Sequence, residues 1–150
     1  MPGLYFEQFS VGQLFEHEIR RTITDADNML FCAMTYNPAA IHIDYDYAAG
    51  TEFGKPLMNS IFTLGLVIGL TVQDTTLGTT VANLGMESTV FPKPVFAGDT
   101  IRATTEVKAL RESKSRPEQG IVTFEHAGLN QAGEVVCRTL RSALMMSRPR

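Results

Sequence analysis

The apolar run SIFTLGLVIGLTV, Ser60 to Val72, limits the possible folds more than any other segment of this chain. It falls short of the roughly 20 apolar residues needed to span a bilayer, and Gly65 and Gly69 interrupt it. It is also longer than a typical strand of about 5–6 residues. Together with the residues after Pro56 it predicts a helix of about four turns, capped at Asn59 or Ser60 and buried on most sides.

After Gly78 the pattern changes period. TTVANLGMESTVF, DTIRATTEVKALRES, QGIVTFEHAGLN and EVVCRTLRSALMM each alternate apolar and polar residues, as half-buried strands do. FAGD and NQAGE carry turn chemistry, the latter predicting a hairpin about Asn130 to Gly133, and SKSRPEQG is a polar loop. Upstream, QLFEHEIRRTIT reads as a first strand. In TDADNMLFCAMT, Thr24 caps a helix, Asp25 and Asp27 suit its first turn, and Met29, Leu30, Ala33 and Met34 share a face. Asn37-Pro38 ends that helix, and a second short one starts at Asp44 and stops near Gly50 or Gly54. The resulting fold class is α+β, an antiparallel sheet wrapped on one central helix in a single domain spanning 1–150. One helix covers only one sheet face, which invites a dimer formed edge to edge.

Composition excludes several functions. With 44% hydrophobic and 19% charged residues and a net charge of -3, the chain is an ordinary globular protein without the basic footprint of a nucleic-acid binder. Cys32 and Cys137 stand far apart without CxxC or Cys/His spacing, so neither a disulfide framework nor a zinc site is expected, and two reduced thiols suggest the cytoplasm. The start, MPGLYFEQFSVGQLFEHEIRR, has neither the basic region nor the apolar run of a secretory signal or membrane anchor.

The chemistry concentrates in TYNPAAIHIDYDYA, Thr35 to Ala48. His42 lies between helical segments, flanked by Ile41 and Ile43. Its unperturbed pKa suits proton transfer near neutrality, although a lone His is more often a packing or surface residue. Asn37 precedes it, Asp44 follows it, and the start of the apolar helix at Asn59 and Ser60 offers free backbone N–H groups to an oxyanion. Asp44 has two readings, support for the chemistry or a helix cap. His17 and His126 sit in strand-like segments without partners at ligand spacing and read as structural or exposed; nothing in the sequence suggests a metal.

NPAAIHIDYDYA, FGKPLMNSIFTLGL, FPKPVFAGDTIRATTEV and NQAGEVV together resemble the MaoC-like hydratases, or (R)-specific enoyl-CoA hydratases, from Gly12 to Pro149. The resemblance implies a hot-dog fold, a homodimer or higher homo-oligomer and hydration of 2-enoyl-CoA thioesters, with coenzyme A present as part of the substrate rather than as a cofactor. PLMNSIFTLGL is most similar to the branch acting on branched dicarboxylic acyl-CoAs such as mesaconyl-CoA. By position, the family's catalytic His falls on His42 and its catalytic Asp on Asn37. An amide orients water but cannot take its proton, so the expected roles are His42 as base and acid, Asn37 as water positioner, and Asn59 and Ser60 as oxyanion donors. Lys93, Lys114 and Arg116 are candidates for the coenzyme A phosphates. Pocket size is expected to depend on Phe62, Leu66, Met29 and Phe91. Two alternatives remain open: a hot-dog thioesterase, for which the helix lacks a carboxylate before Asp74, and a non-catalytic acyl-CoA-binding or partner subunit, which Asn37 favours.

Overall fold

The computed structural model describes residues 3–149. The apolar run forms α4, Ser60–Thr75, 16 residues long. Asn59 caps it by accepting the Ile61 N–H at 3.0 Å, and Gly78, at φ 72°, turns the chain away beyond its end. Thr63, Val67, Leu70, Thr71 and Thr75 form its buried face. Thr71 and Thr75 turn their hydroxyls back onto the helix carbonyls of Ile68 and Thr71, which lets polar residues face a core without unpaired donors. The helix is not buried on most sides. Ile61, Gly65, Gly69, Gln73 and Asp74 face outward, because one sheet can cover only one side of a helix.

That sheet has six antiparallel strands: β1 (Leu14–Glu16), β2 (Arg21–Thr22), β3 (Thr80–Val90), β4 (Thr100–Glu112), β5 (Gln119–Leu129) and β6 (Val135–Met146). Their order is β1-β4-β5-β6-β3, with β2 also paired to β4. Register shifts in the β3–β6, β4–β5 and β5–β6 pairings bend the ladder around α4. On β5 the alternation is unbroken: Gly120, Val122, Phe124, His126 and Gly128 point inward. A Cβ on Gly128 would collide with Val67, so the missing side chain sets how close the helix lies to the sheet. The curved sheet around one long helix is the hot-dog arrangement. The four C-terminal strands and the Asn130–Gly133 hairpin fall where alternation places them, whereas the expected first strand splits into β1 and β2.

The split is a bulge: between the Glu16–Thr104 and Arg21–Ile101 pairs the first strand carries more residues than β4 opposite it. Beyond β1, His17 turns its ring into a buried polar chain that crosses the sheet beneath the C-terminal half of α4. Arg141 Nε donates to His126 Nε2 at 3.0 Å, which leaves His126 Nδ1 to donate to Thr105 Oγ1 at 2.8 Å. The single Thr105 hydroxyl proton then goes to His17 Nε2 at 2.8 Å, and His17 Nδ1 donates to Asp74 Oδ2 at 2.7 Å. In this pattern each proton is used once, linking a buried guanidinium to a half-exposed carboxylate. Burial first, then the nearby Arg141 and His17, push His126 down to about 3, so it is a neutral link. Both histidines are structural, and the exposed reading does not hold.

Helix α1, Asp25–Met34, begins with the reciprocal capping box of Thr24 and Asp27. The face expected to pack inward does not. Leu30 and Met34 are exposed and the buried positions are Asn28 and Cys32, because this helix presents a polar tether, not an apolar stripe, to the interior. Two short helices follow, α2 (Ala40–Ile43) and α3 (Tyr45–Ala49), the latter ending at Gly50.

Candidate active site

His42 lies on α2, a single turn where a loop was expected. The chain reaches it through Tyr36, at φ 53°, and Asn37, whose Oδ1 accepts the Ala39 N–H at 3.0 Å. A left-handed residue followed by an Asx turn reverses the chain from α1 into α2, and Pro38 keeps the reversal from relaxing into helix. The His42 ring is then fixed. Its Nδ1 lies 2.7 Å from the Leu57 carbonyl oxygen. A carbonyl only accepts, so Nδ1 carries the proton and, in the neutral ring, Nε2 carries the free lone pair.

Asn28 holds this arrangement together, and sequence reasoning missed it. Its Nδ2 donates to the carbonyls of His42 (2.9 Å) and Leu57 (3.1 Å), and its Oδ1 accepts the Asn59 N–H at 3.0 Å. One buried amide thus ties α1 to α2, to the strand-like approach at Leu57 and to the start of α4. The Leu57 N–H returns to Ile41 O and the Met58 N–H to Val95 O, closing the frame. The sequence signal that would have found it is a polar residue one turn before Cys32 on a helix whose apolar residues do not line up with it.

Within the frame is a cavity of about 320 Å³, lined mainly by apolar residues, among them Phe53, Leu57, Met58, Phe91, Val95 and Val136. Besides Lys93, three polar residues reach it: His42, Ser60 and Thr63. Among the first-turn N–H groups of α4, those of Asn59, Ile61 and Thr63 are already taken, by Asn28 Oδ1, Asn59 Oδ1 and Asn59 O. Ser60 N–H, beside the cavity, has no acceptor among the described residues. It is a donor at the positive end of the helix dipole.

The structure brings His42, Ser60 and Lys93 to this cavity and leaves other expected residues outside it. Asn37 is not on its wall, and its carbonyl oxygen is spent on the turn, so its visible work is shaping the approach to His42. Asn59 is a helix cap whose N–H is engaged. Asp44 caps α3 by accepting the Tyr47 N–H at 2.9 Å. Lys93 Nζ sits 3.4 Å from Glu134 at the cavity rim. Lys114 and Arg116 lie in the β4–β5 loop, next to the Gln119 end of β5, whereas the cavity adjoins the Val136 end of β6, which pairs with the opposite end of β5. Eleven residues of strand separate those ends, about 36 Å, so neither cation meets this cavity within one chain. Of the residues expected to size the pocket, Phe91 lines it and Phe62, Leu66 and Met29 do not. Among the described residues there is no cluster of His, Cys, Asp or Glu able to hold a metal ion.

The family described as MaoC like domain matches residues 7–129, and the chain belongs to it. The chain is 32% identical to the mesaconyl-CoA hydratase of Cereibacter sphaeroides over 97% of its own length and 42% of that protein. It is 30% identical to the (R)-specific enoyl-CoA hydratase of Rhodospirillum rubrum, over 88% of this chain and 85% of that one. A solved structure described as a monoamine oxidase regulatory protein from Archaeoglobus superposes with a TM-score of 0.87 at 31% identity, covering 99% of this chain and 98% of the other. The chain spans 41–42% of the length of the first curated relatives it matches.

Proposed function

We propose that this chain is a hydro-lyase that adds water to, or removes it from, the 2,3-double bond of a 2-enoyl-CoA thioester. The observation that carries the reading is the His42 ring: Nδ1 is locked on Leu57 O, so Nε2 is the free base on the wall of a cavity that also meets the first turn of α4. In hydration, His42 Nε2 takes a proton from water as the water oxygen bonds to C3. The C2–C3 π electrons move onto the thioester oxygen, which the Ser60 N–H stabilises. The imidazolium then returns its proton to C2 and the thioester carbonyl re-forms. The sulfur–carbon bond stays intact, and the step needs no group beyond the substrate and water. The apolar walls keep stray water from the enolate.

The relative named as a mesaconyl-CoA hydratase supports a branched dicarboxylic acyl group, and Lys93 at the rim is a cation such a substrate could use. A homodimer is supported by β3 at one edge of the sheet, with Leu84, Met86 and Val90 exposed along it and Ile61 exposed on α4. Sedimentation showing only monomer at micromolar concentration would remove that part. The two buried free thiols support a reducing compartment, the cytoplasm, and no helix among the described residues is long and apolar enough to cross a membrane.

The test is a turnover screen with crotonyl-, mesaconyl-, itaconyl- and longer enoyl-CoAs, following loss of enoyl absorbance and free thiol together. Absorbance loss without thiol release is the expected result. Thiol release would make the protein a thioesterase, and tight binding without turnover across the panel would make it a binding subunit.

A further inference from the structure

The Thr63 hydroxyl is a buried polar group with no use in the folded chain. Thr63 is 1% exposed, and its Oγ1 has no hydrogen-bond partner among the described residues. Thr71 and Thr75 on the same helix both satisfy their hydroxyls on helix carbonyls, so the local geometry permits the ordinary solution and Thr63 does not take it. Among the described residues four side chains carry such orphaned atoms: Thr63, Thr79, Gln119 and Arg141. Of these, only Thr63 belongs to the wall of the cavity that holds His42. An unsatisfied buried hydroxyl is costly, and where one persists at a site a ligand is the natural partner.

We infer that Thr63 holds the oxygen that becomes, or leaves as, the C3 hydroxyl. Resting on the hydro-lyase reading, this gives the attacking water a second partner beside His42, a role Asn37 does not reach. The placement follows from the helix. Ser60 and Thr63 are three residues apart, so they share a face and differ by about 4.5 Å along the axis. That matches the offset between a thioester oxygen and an oxygen on C3. Ser60 is exposed at the mouth and Thr63 is buried further in, so the thioester enters first-turn end outward and C3 lies deeper.

The consequence is directional. In hydration Thr63 holds water, which is not part of the acyl-CoA, so its loss appears in kcat. In dehydration the same oxygen belongs to the 3-hydroxyacyl-CoA, so its loss appears as a raised KM. Because the overall equilibrium constant is fixed, kcat/KM must fall by the same factor both ways. Thr63→Val keeps the shape and removes the hydroxyl. It is expected to lower kcat/KM about tenfold in both directions, the size of one hydrogen bond, through kcat with crotonyl-CoA and through KM with 3-hydroxybutyryl-CoA. It should melt at or above the wild-type temperature, since it relieves an orphaned group. Thr63→Ser should restore the kinetics.

Unchanged kinetics in Thr63→Val overturns the inference, as does a lower melting temperature that Thr63→Ser rescues, which marks a structural hydroxyl. If the wild type turns over no 2-enoyl-CoA, the hydro-lyase reading fails and calorimetry decides the rest. Wild type should then bind 3-hydroxybutyryl-CoA several-fold more tightly than crotonyl-CoA and Thr63→Val should bind the two equally; absence of that difference overturns the assignment of Thr63.

Discussion

Replacing Asn28 by Ala tests the frame that positions His42. The change leaves the Asn59 N–H and the His42 carbonyl without partners, while Leu57 O keeps the bond from His42 Nδ1. Two orphaned groups at about 1–3 kcal/mol each, with the His42 carbonyl discounted because that residue is only partly buried, give a loss of about 3 kcal/mol. For a chain of this size that corresponds to roughly 6–12 °C in Tm. Asn28→Leu orphans the same groups while filling more of the space. It should therefore be no more stable than Asn28→Ala if hydrogen bonding, not volume, dominates. Urea unfolding followed by circular dichroism measures both. Hydratase turnover on the folded fraction should fall at least tenfold, because Leu57 O loses its anchor and the imidazole its fixed approach. Variants within about 1 kcal/mol of wild type, or full turnover from a destabilised protein, would refute the reasoning.

His42→Ala, which removes the imidazole from the cavity wall, should cut turnover by about 10²–10⁴-fold and leave the urea midpoint nearly unchanged; a stopped assay with crotonyl-CoA suffices. His126 makes stability depend on acid. Its folded pKa, about 3, is depressed below the unfolded value of 6.5. Its contribution is therefore complete above pH 6.5 and is lost as pH falls toward 3, by up to about 1.4 kcal/mol per pH unit. Urea midpoints measured from pH 7 to pH 4 should fall accordingly, and His126→Gln should flatten the slope. Burial raises the Cys137 thiol to about 11, so iodoacetamide at pH 8 should leave Cys137 unmodified in native protein and alkylate it on unfolding, as peptide mass spectrometry would show.

What was legible in the sequence is what repeats locally. Strands β3 to β6 announce themselves by alternation, α4 by its length and Asn59 cap, and α1 by Thr24 and Asp27, because each rests on residues a few positions apart. What escaped depends on pairs far apart in sequence. Asn28 meets Asn59 across 31 positions, and His17 meets Asp74 across 57 and Thr105 across 88. A periodicity argument assigns the inward face of α1 to its apolar residues; it cannot anticipate that Leu30 and Met34 stay outside while one amide is used as a tether. Lys114 and Arg116 illustrate the same limit, since charge suggested phosphate contacts and only the strand register reveals which end of the sheet they occupy.

The two ends of α4 show how polar groups divide between holding the fold and doing chemistry. Near its C-terminus, Asp74 closes a five-residue chain in which every proton finds an acceptor up to the second guanidinium nitrogen of Arg141. Near its N-terminus the pairing stops short: His42 Nε2, the Ser60 N–H and the Thr63 hydroxyl adjoin one cavity without a partner among the described residues. A fold selected for stability alone would pair or remove the Thr63 hydroxyl, because a buried unmade bond is a penalty and Val at position 63 would fit the same shape, whereas the exposed Ser60 and the half-buried His42 can meet solvent. Asn28 shows that the local chain can satisfy buried amides when the fold requires it. On the proposed hydro-lyase reading these groups meet two oxygens in a single geometry, the nucleophilic water at His42 Nε2 and the Thr63 hydroxyl, and the thioester carbonyl oxygen at the Ser60 N–H.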